Sequence, residues 1–294
     1  PFLRSNIPSF RLPAPVLNEE LDRIVDMGVD LRLNTPVESL AALLEEGYDA
    51  VFVGSGAPKR NELSLPGRQE GDANNHVGIT WLEEVAFRHV DRIGERVLII
   101  GVGNTAMDCC RTSLRLGAKE VKVMARKPRD FFKASDWELE DAEEENVEII
   151  VNHSPKEFVI EDGRLVGMRF ELMEYEVEGE GRDTRIVEQR VVGEEFIPCD
   201  DVVLAIGQDN AFPWIERDLG IEFGKWDMPV LNETTFQSTL DKVFFGGDAA
   251  LGGPGIGRKP GVPLVAVPQG AHPVAGGEAR RPRSGATEVG IVGA

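Results

Sequence analysis

The sequence predicts an α/β fold organised around parallel strands, and three observations carry that prediction. Short apolar runs alternate with helix-like segments: YDAVFVGSG, ERVLIIGVG, EVKVMA, DDVVLAIGQ and KVFFGGDAA. Several of these runs end directly in glycine, which is where α/β folds place ligands. Between residues 147 and 192 the rhythm changes to consecutive strands, so a small antiparallel layer is expected beside the parallel one. A chain of 294 residues with 41% hydrophobic content has room for two folded domains.

The elements follow in order. Asn18 is expected to cap a helix whose Leu21, Ile24, Val25 and Met27 recur at helical spacing, with Gly28 closing it and VDLRLN continuing as a strand. A second helix near Val37 to Glu46 leads to the strand YDAVFVGSG. Residues 61–78 are rich in polar residues, Gly and Pro and mark a connection and domain boundary. A helix from about Trp81 to Val90 precedes ERVLIIGVG, and a helix from Thr105 to Leu116 precedes EVKVMA. Beyond the acidic helix come VEIIVNH, then two runs joined at Asp162-Gly163, a hairpin signal because Gly accepts positive φ, then TRIVEQRVV. After Leu251 the text becomes rich in Gly, Pro, Ala and Arg, and is expected to be disordered or foreign to the fold.

Charge excludes some functions. With 32 basic and 51 acidic residues the formal charge is −19, so a nucleic-acid backbone is repelled. The acidic runs from Glu138 to Glu148 and Glu174 to Glu195 read as solvated surface, the alternative being a docking face for a basic partner. No apolar run reaches the roughly 20 residues of a membrane span, and PFLRSNIPSF lacks signal-peptide character, so a cytoplasmic protein is expected. Cys109, Cys110 and Cys199 form no C-x-x-C pair and read as packing residues. His76, His89, His153 and His272 are scattered without metal-ligand spacing, so no metal site is expected.

The most informative stretch is VLIIGVGNTAMDCCRTSLRLGAKEVKVMARK. Gly101, Gly103 and Ala106 occupy the three small positions of G-x-G-x-x-G/A directly after an apolar strand and before a helix. Small residues there permit a tight turn, let backbone approach a pyrophosphate and allow the helix to pack on the strand, while Asn104 and Thr105 open that helix. The tip of the next strand selects the cofactor: an acidic residue suits the ribose hydroxyl of NAD, a basic one the extra phosphate of NADP. Arg126, Lys127 and Arg129 stand there, so NADPH is preferred, against the alternative that they only counter the nearby acidic helix.

The order of NIPSFRLP, AVFVGSGAP, GVGNTAMDCCRTSLRLGA, VVLAIGQ and FFGGDAA resembles the small (β) subunit of glutamate synthase and its relatives, including the NADPH-oxidising half of dihydropyrimidine dehydrogenase. The resemblance covers roughly Pro1 to Ala250. It implies two Rossmann-like dinucleotide-binding domains, an NADPH domain inserted in a discontinuous FAD domain. The first FAD part would be residues 1–75, the NADPH domain with its antiparallel layer 76–207, the second FAD part 208–250 and the tail 251–294. It places Asp248 on the ribityl chain of FAD, with Gly246 and Gly247 letting the backbone approach. It puts Gly54 and Gly56 near FAD, Gly207 near the junction with NADPH, and the loop from Asn6 to Phe10 by the isoalloxazine ring.

The chain also departs from the pattern. It begins downstream of the family's own FAD-binding G-x-G-x-x-G and cysteine-rich iron–sulfur segment, and after GGDAALG it leaves the family text as a reading-frame change in a GC-rich gene would. The FAD site is therefore expected to be incomplete. The implied activity is hydride transfer from NADPH to flavin, then electron transfer to an iron–sulfur-containing domain or catalytic partner subunit, with no acid–base residue assigned. The alternative is a non-catalytic NADP-binding fragment that cannot retain flavin. A disulfide reductase of the same architecture is disfavoured by the missing C-x-x-C.

Overall fold

A computed structural model describes residues 2–179, 184–251 and 289–293. In chain order the helices and strands are α1 (Phe2–Ser5), α2 (Ala14–Val25), α3 (Leu40–Glu45), β1 (Ala50–Gly54), β2 (Lys59–Arg60), β3 (Asn75–Val77), α4 (Gly78–Ala86), β4 (Arg96–Ile100), α5 (Asn104–Arg115), β5 (Glu120–Met124) and α6 (Asp136–Glu144). They continue with β6 (Glu148–Ile150), β7 (His153–Glu161), β8 (Arg164–Glu178), β9 (Arg185–Pro198), β10 (Asp201–Leu204), β11 (Gln208–Asp209), β12 (Val243–Phe245), α7 (Asp248–Leu251) and β13 (Val289–Gly293). The chain divides into two compact units: residues 1–12 with 60–207, and residues 13–59 with 208–294. The division falls at Lys59/Arg60 rather than after residue 75, and the first twelve residues group with the unit that carries the glycine motif.

In the first unit five parallel strands lie in the order β3-β10-β4-β5-β6. The order reverses between β4, which continues outward to β5 and β6, and β10, which arrives from much later in the chain. That is the switch point at which such sheets bind ligands. The helices pack an apolar core of Trp81, Ile99, Met107, Cys109, Val123 and Val203 against one face of the sheet. Leu98, Met124, Met168, Phe170 and Val202 fill a second core shared with the antiparallel sheet β7-β8-β9. The Asp162-Gly163 hairpin forms as expected: both residues have positive φ, 49° and 75°, as a tight two-residue turn requires.

In the second unit β1 is flanked by β12 and β13, all parallel. Its core gathers Leu40, Val51, Val53, Phe212, Val243 and Phe245. Three sequence expectations are corrected here. α2 starts at Ala14 with Pro13 at its N-cap, so Asn18 lies within the helix; a proline in the first turn has no N–H to lose and its φ suits a helix. VDLRLN forms no strand: Val29, Leu31 and Leu33 are exposed, and no described strand lies alongside to receive its ladder hydrogen bonds. The tail expected to be disordered contributes β13, which pairs with β1 from Ala50↔Val289 to Gly54↔Gly293. Its remaining residues, 252–288 and 294, including His272, lie outside the described residues.

The acidic helix also differs from a solvated surface. Glu138 on α6 is fully buried and paired with Arg11, while Asp141 and Glu145 bind Arg111 of α5. Arg111 and Arg115 both stack over the Phe10 ring, so the first residues of the chain are fastened to α5 by charge and aromatic contact together.

Candidate dinucleotide site

β4 delivers the chain to Gly101 at the switch point. Gly101 has φ +123° and its N–H donates to the Met124 carbonyl at 3.2 Å. A Cβ placed there would lie 2.3 Å from the Ala205 carbonyl oxygen, so both the backbone conformation and the neighbouring strand exclude a side chain. Gly103, at the N-cap of α5, differs: its φ is −102° and a Cβ would meet nothing within 4 Å. The absent side chain leaves an open surface beside the helix start, where the first N–H groups have no intrahelical acceptor and the helix dipole favours negative charge. Ala106 is fully buried, so its small size serves helix-to-strand packing.

A second segment closes on this turn. The N–H groups of Lys133 and Ala134 donate to the Val102 carbonyl at 3.2 and 3.0 Å, and Ser135 N–H donates to Asn104 Oδ1 at 3.0 Å. Asn104 thus spends its side-chain oxygen on holding this segment, leaving its backbone N–H for a ligand. Lys133 is exposed and its backbone is held against the loop by these hydrogen bonds, a cation the sequence reading missed because it lies outside the motif.

The three predicted cations at the tip of β5 separate. Arg129 is bound to Glu143 at 2.5 and 3.1 Å, the countering role foreseen as the alternative reading. Arg126 is exposed, and Lys127 lies over the Phe131 ring at 5.5 Å. Among the described residues, Arg126, Lys127 and Lys133 make no ion pair. The peptide after β5 is tightly held: Ala125 N–H donates to Ile150 at 2.8 Å, its carbonyl accepts from His153 N–H at 2.9 Å, and the Arg126 carbonyl accepts from the Tyr175 hydroxyl at 2.6 Å. Gly207 follows β10 with φ +100°, and its carbonyl accepts the Asn61 N–H at 3.3 Å.

The helix behind the loop carries a cluster of charged side chains. The Arg115 guanidinium, with Arg111, holds the Glu145 carboxyl down at about 2. Burial raises Asp108 and Glu138 even though Arg11 binds both. Burial also pushes the Cys110 and Cys199 thiols up to about 12 and Cys109 higher than its ordinary value, which leaves them neutral and unreactive at pH 7. Among the described residues no cluster of His, Cys, Asp and Glu could hold a metal ion. His76 pairs with Asp201 and His153 with Glu195.

In the second unit β1 runs into Gly54, Ser55 and Gly56. The Ser55 hydroxyl is buried with no hydrogen-bond partner among the described residues, and Gly56 has φ +73° with open space where a Cβ would be. β12 runs into Gly246, where a Cβ would lie 2.3 Å from the tip of the Phe52 ring; packing alone therefore accounts for this glycine. Gly247, with φ +60° and an open side, precedes Asp248, which is exposed at the first position of α7.

Glycine turns at the carboxyl ends of parallel strands, one leading into a long helix beside unpaired cations, define a dinucleotide-binding α/β protein. Residues 17–270 match the pyridine nucleotide-disulphide oxidoreductase family, so the chain belongs to that family. It is 35% identical to the NADP(+)-dependent formate dehydrogenase subunit beta of Moorella thermoacetica over 85% of this chain and 35% of that one. It is 31% identical to the NADPH-Fe(3+) oxidoreductase subunit beta of Geobacter sulfurreducens (84% and 40%). It is 34% identical to the glutamate synthase [NADPH] small chain of Halomonas elongata (85% and 55%). The chain thus spans between about a third and just over half the length of these relatives. Among solved structures, FprA of Mycobacterium tuberculosis shares the fold with TM-score 0.64 at 16% identity, over 85% of this chain and 69% of that one. Thioredoxin reductase of T. acidophilum does so with TM-score 0.53 at 17% identity (69% and 58%). The two-domain α/β architecture read from the sequence is that of these neighbours.

Proposed function

We propose that this chain is the electron-input part of a cytoplasmic NADPH-dependent, FAD-containing oxidoreductase, handing electrons to an iron–sulfur-containing domain or catalytic partner subunit. The observation that carries the reading is the set of unpaired cations, Arg126, Lys127 and Lys133, around a glycine turn whose Gly103 leaves the start of α5 open. When bound, the nicotinamide supplies a hydride and the flavin takes it up, to release electrons singly. The chain's own residues bind and orient. The N–H groups at the start of α5 hold the pyrophosphate, and Gly101 sets the turn that aims them. Arg126 offers a planar fork of donors to the 2′-phosphate, and Lys127 and Lys133 add charge. Gly207 borders the nucleotide at the end of β10. In the second unit the open Gly54–Gly56 turn, the orphaned Ser55 hydroxyl and Asp248 after Gly247 fit a polar ligand such as the ribityl chain of FAD. No residue is assigned as acid or base, because hydride transfer between two rings needs none. Among the described residues no helix is long and apolar enough to cross a membrane, and the charge of −19 argues against nucleic acid as a partner. The beta-subunit and small-chain names of the relatives support a partner subunit here.

A second reading, a nucleotide-binding fragment that does not hold flavin, is favoured by one observation: the Phe52 ring alone demands Gly246, so part of the glycine pattern after β12 needs no flavin to explain it. Reconstitution separates the two. The chain is incubated with FAD, excess is removed, and NADPH is added without oxygen. Bleaching of bound flavin by NADPH, and much less by NADH, is expected; absence of retained flavin would establish the second reading.

A further inference from the structure

The antiparallel sheet sits within the unit that carries the glycine motif, yet nothing in nucleotide binding as set out above uses it. Its longest hairpin, β8 and β9, pairs Met173 to Val191 and continues to Glu178 and Arg185, beyond the last residue of β8, Leu172, that β7 covers. Its root is fastened to the tip of the parallel sheet: Met173 N–H donates to the Asn152 carbonyl at 2.8 Å, and His153 N–H to that of Ala125 at 2.9 Å. Two residues further along β8, the Tyr175 hydroxyl donates to the Arg126 carbonyl at 2.6 Å. Burial raises this hydroxyl above its ordinary value while the Arg126 charge opposes the rise, so it is a neutral donor at pH 7.

We propose that Tyr175 is a positioning residue for cofactor selectivity: the hairpin brings its hydroxyl to the Arg126 peptide and fixes the base from which the phosphate-binding guanidinium projects. The inference rests on the assignment of Arg126 to a 2′-phosphate. An exposed arginine on a free loop would order many rotatable bonds when it bound; a pinned peptide removes the backbone share of that cost. With Arg129 engaged by Glu143 and Lys127 over Phe131, Arg126 is the residue whose aim depends on this hydrogen bond.

Tyr175→Phe keeps the ring and removes only the donor. The full chain is titrated calorimetrically with 2′,5′-ADP and with 5′-AMP, as wild type, Tyr175→Phe and Arg126→Ala. In Tyr175→Phe the affinity ratio of 2′,5′-ADP to 5′-AMP is expected to fall about three- to tenfold, part of the backbone ordering cost that the pinned peptide removes, with 5′-AMP affinity unchanged. Arg126→Ala is expected to abolish most of the preference. If Arg126→Ala removes the preference and Tyr175→Phe leaves it intact, or weakens both ligands equally, the role of Tyr175 is overturned while the phosphate assignment stands. If Arg126→Ala leaves the preference intact, the phosphate assignment falls and Tyr175 with it.

Discussion

β4 and β12 both end in two glycines within three residues, yet the two endings are built for different reasons. At β4, Gly101 is held by its φ of +123° and by the Ala205 carbonyl, Gly103 is open, and a helix of 12 residues follows. At β12, Gly246 is required by the Phe52 ring, Gly247 is open, and Asp248 begins α7. α5 is moreover fastened through Arg111 and Arg115 to Asp141 and Glu145. A glycine in such a motif is informative only once its neighbours show whether packing or an open face demands it.

The two endings differ most in stability at Gly101. Gly101→Ala is expected to cost about 3 kcal/mol or more in urea unfolding, from combined backbone strain and overlap with Ala205. Gly103→Ala should stay within about 0.5 kcal/mol of wild type, yet weaken NADPH at least several-fold. Equal stability losses at the two positions would erase the distinction.

The fastening of α5 is tested by acid. Glu145 titrates at about 2 in the fold against an ordinary 4.5, so its contribution is complete above 4.5 and lost as the pH falls through 2. Glu145→Gln is therefore expected to lower stability by about 1–3 kcal/mol at pH 7, with the difference from wild type closing towards pH 2. Asp108 and Glu138, raised by burial, act in the opposite sense, so the mutant difference, rather than the total stability, is the quantity to follow by unfolding at each pH.

At β12 the obstacle is a ring edge rather than backbone. Gly246→Ala should cost about 1–2 kcal/mol, and Phe52→Leu in the same chain should recover part of it; additive losses in the double variant would show that the ring is not the obstacle. The smallest expected effect on stability separates the cations. Arg129→Ala should remove an exposed ion pair worth about 0.5 kcal/mol and leave NADPH affinity within about twofold. Arg126→Ala should weaken NADPH about tenfold without a change in thermal midpoint.

Much of this was legible in the sequence. The strands at Val51, Val97, Val121, Val202 and Val243, the Asp162-Gly163 hairpin and the glycine turn before α5 depend on local pattern, and each stands where its pattern put it. What depended on distant partners was not legible. VDLRLN has the text of a strand, but a strand needs a neighbour for its backbone groups, and none of the described ones lies beside it. Glu138 sits in an acidic run that reads as surface, and distant cations, Arg11 127 residues earlier and Arg111 on α5, make its burial tolerable. Arg129 and Arg126 are indistinguishable by type and differ only in that Glu143 comes within reach of one.

The proposed function requires the first unit to bind NADPH in preference to NADH. Calorimetric titration of the full chain with each nucleotide measures that preference. NADPH is expected to bind at least about tenfold more tightly, as a charge-assisted contact to an additional phosphate requires. Equal affinities would contradict the role given to Arg126, and absence of binding by either nucleotide would contradict the site itself.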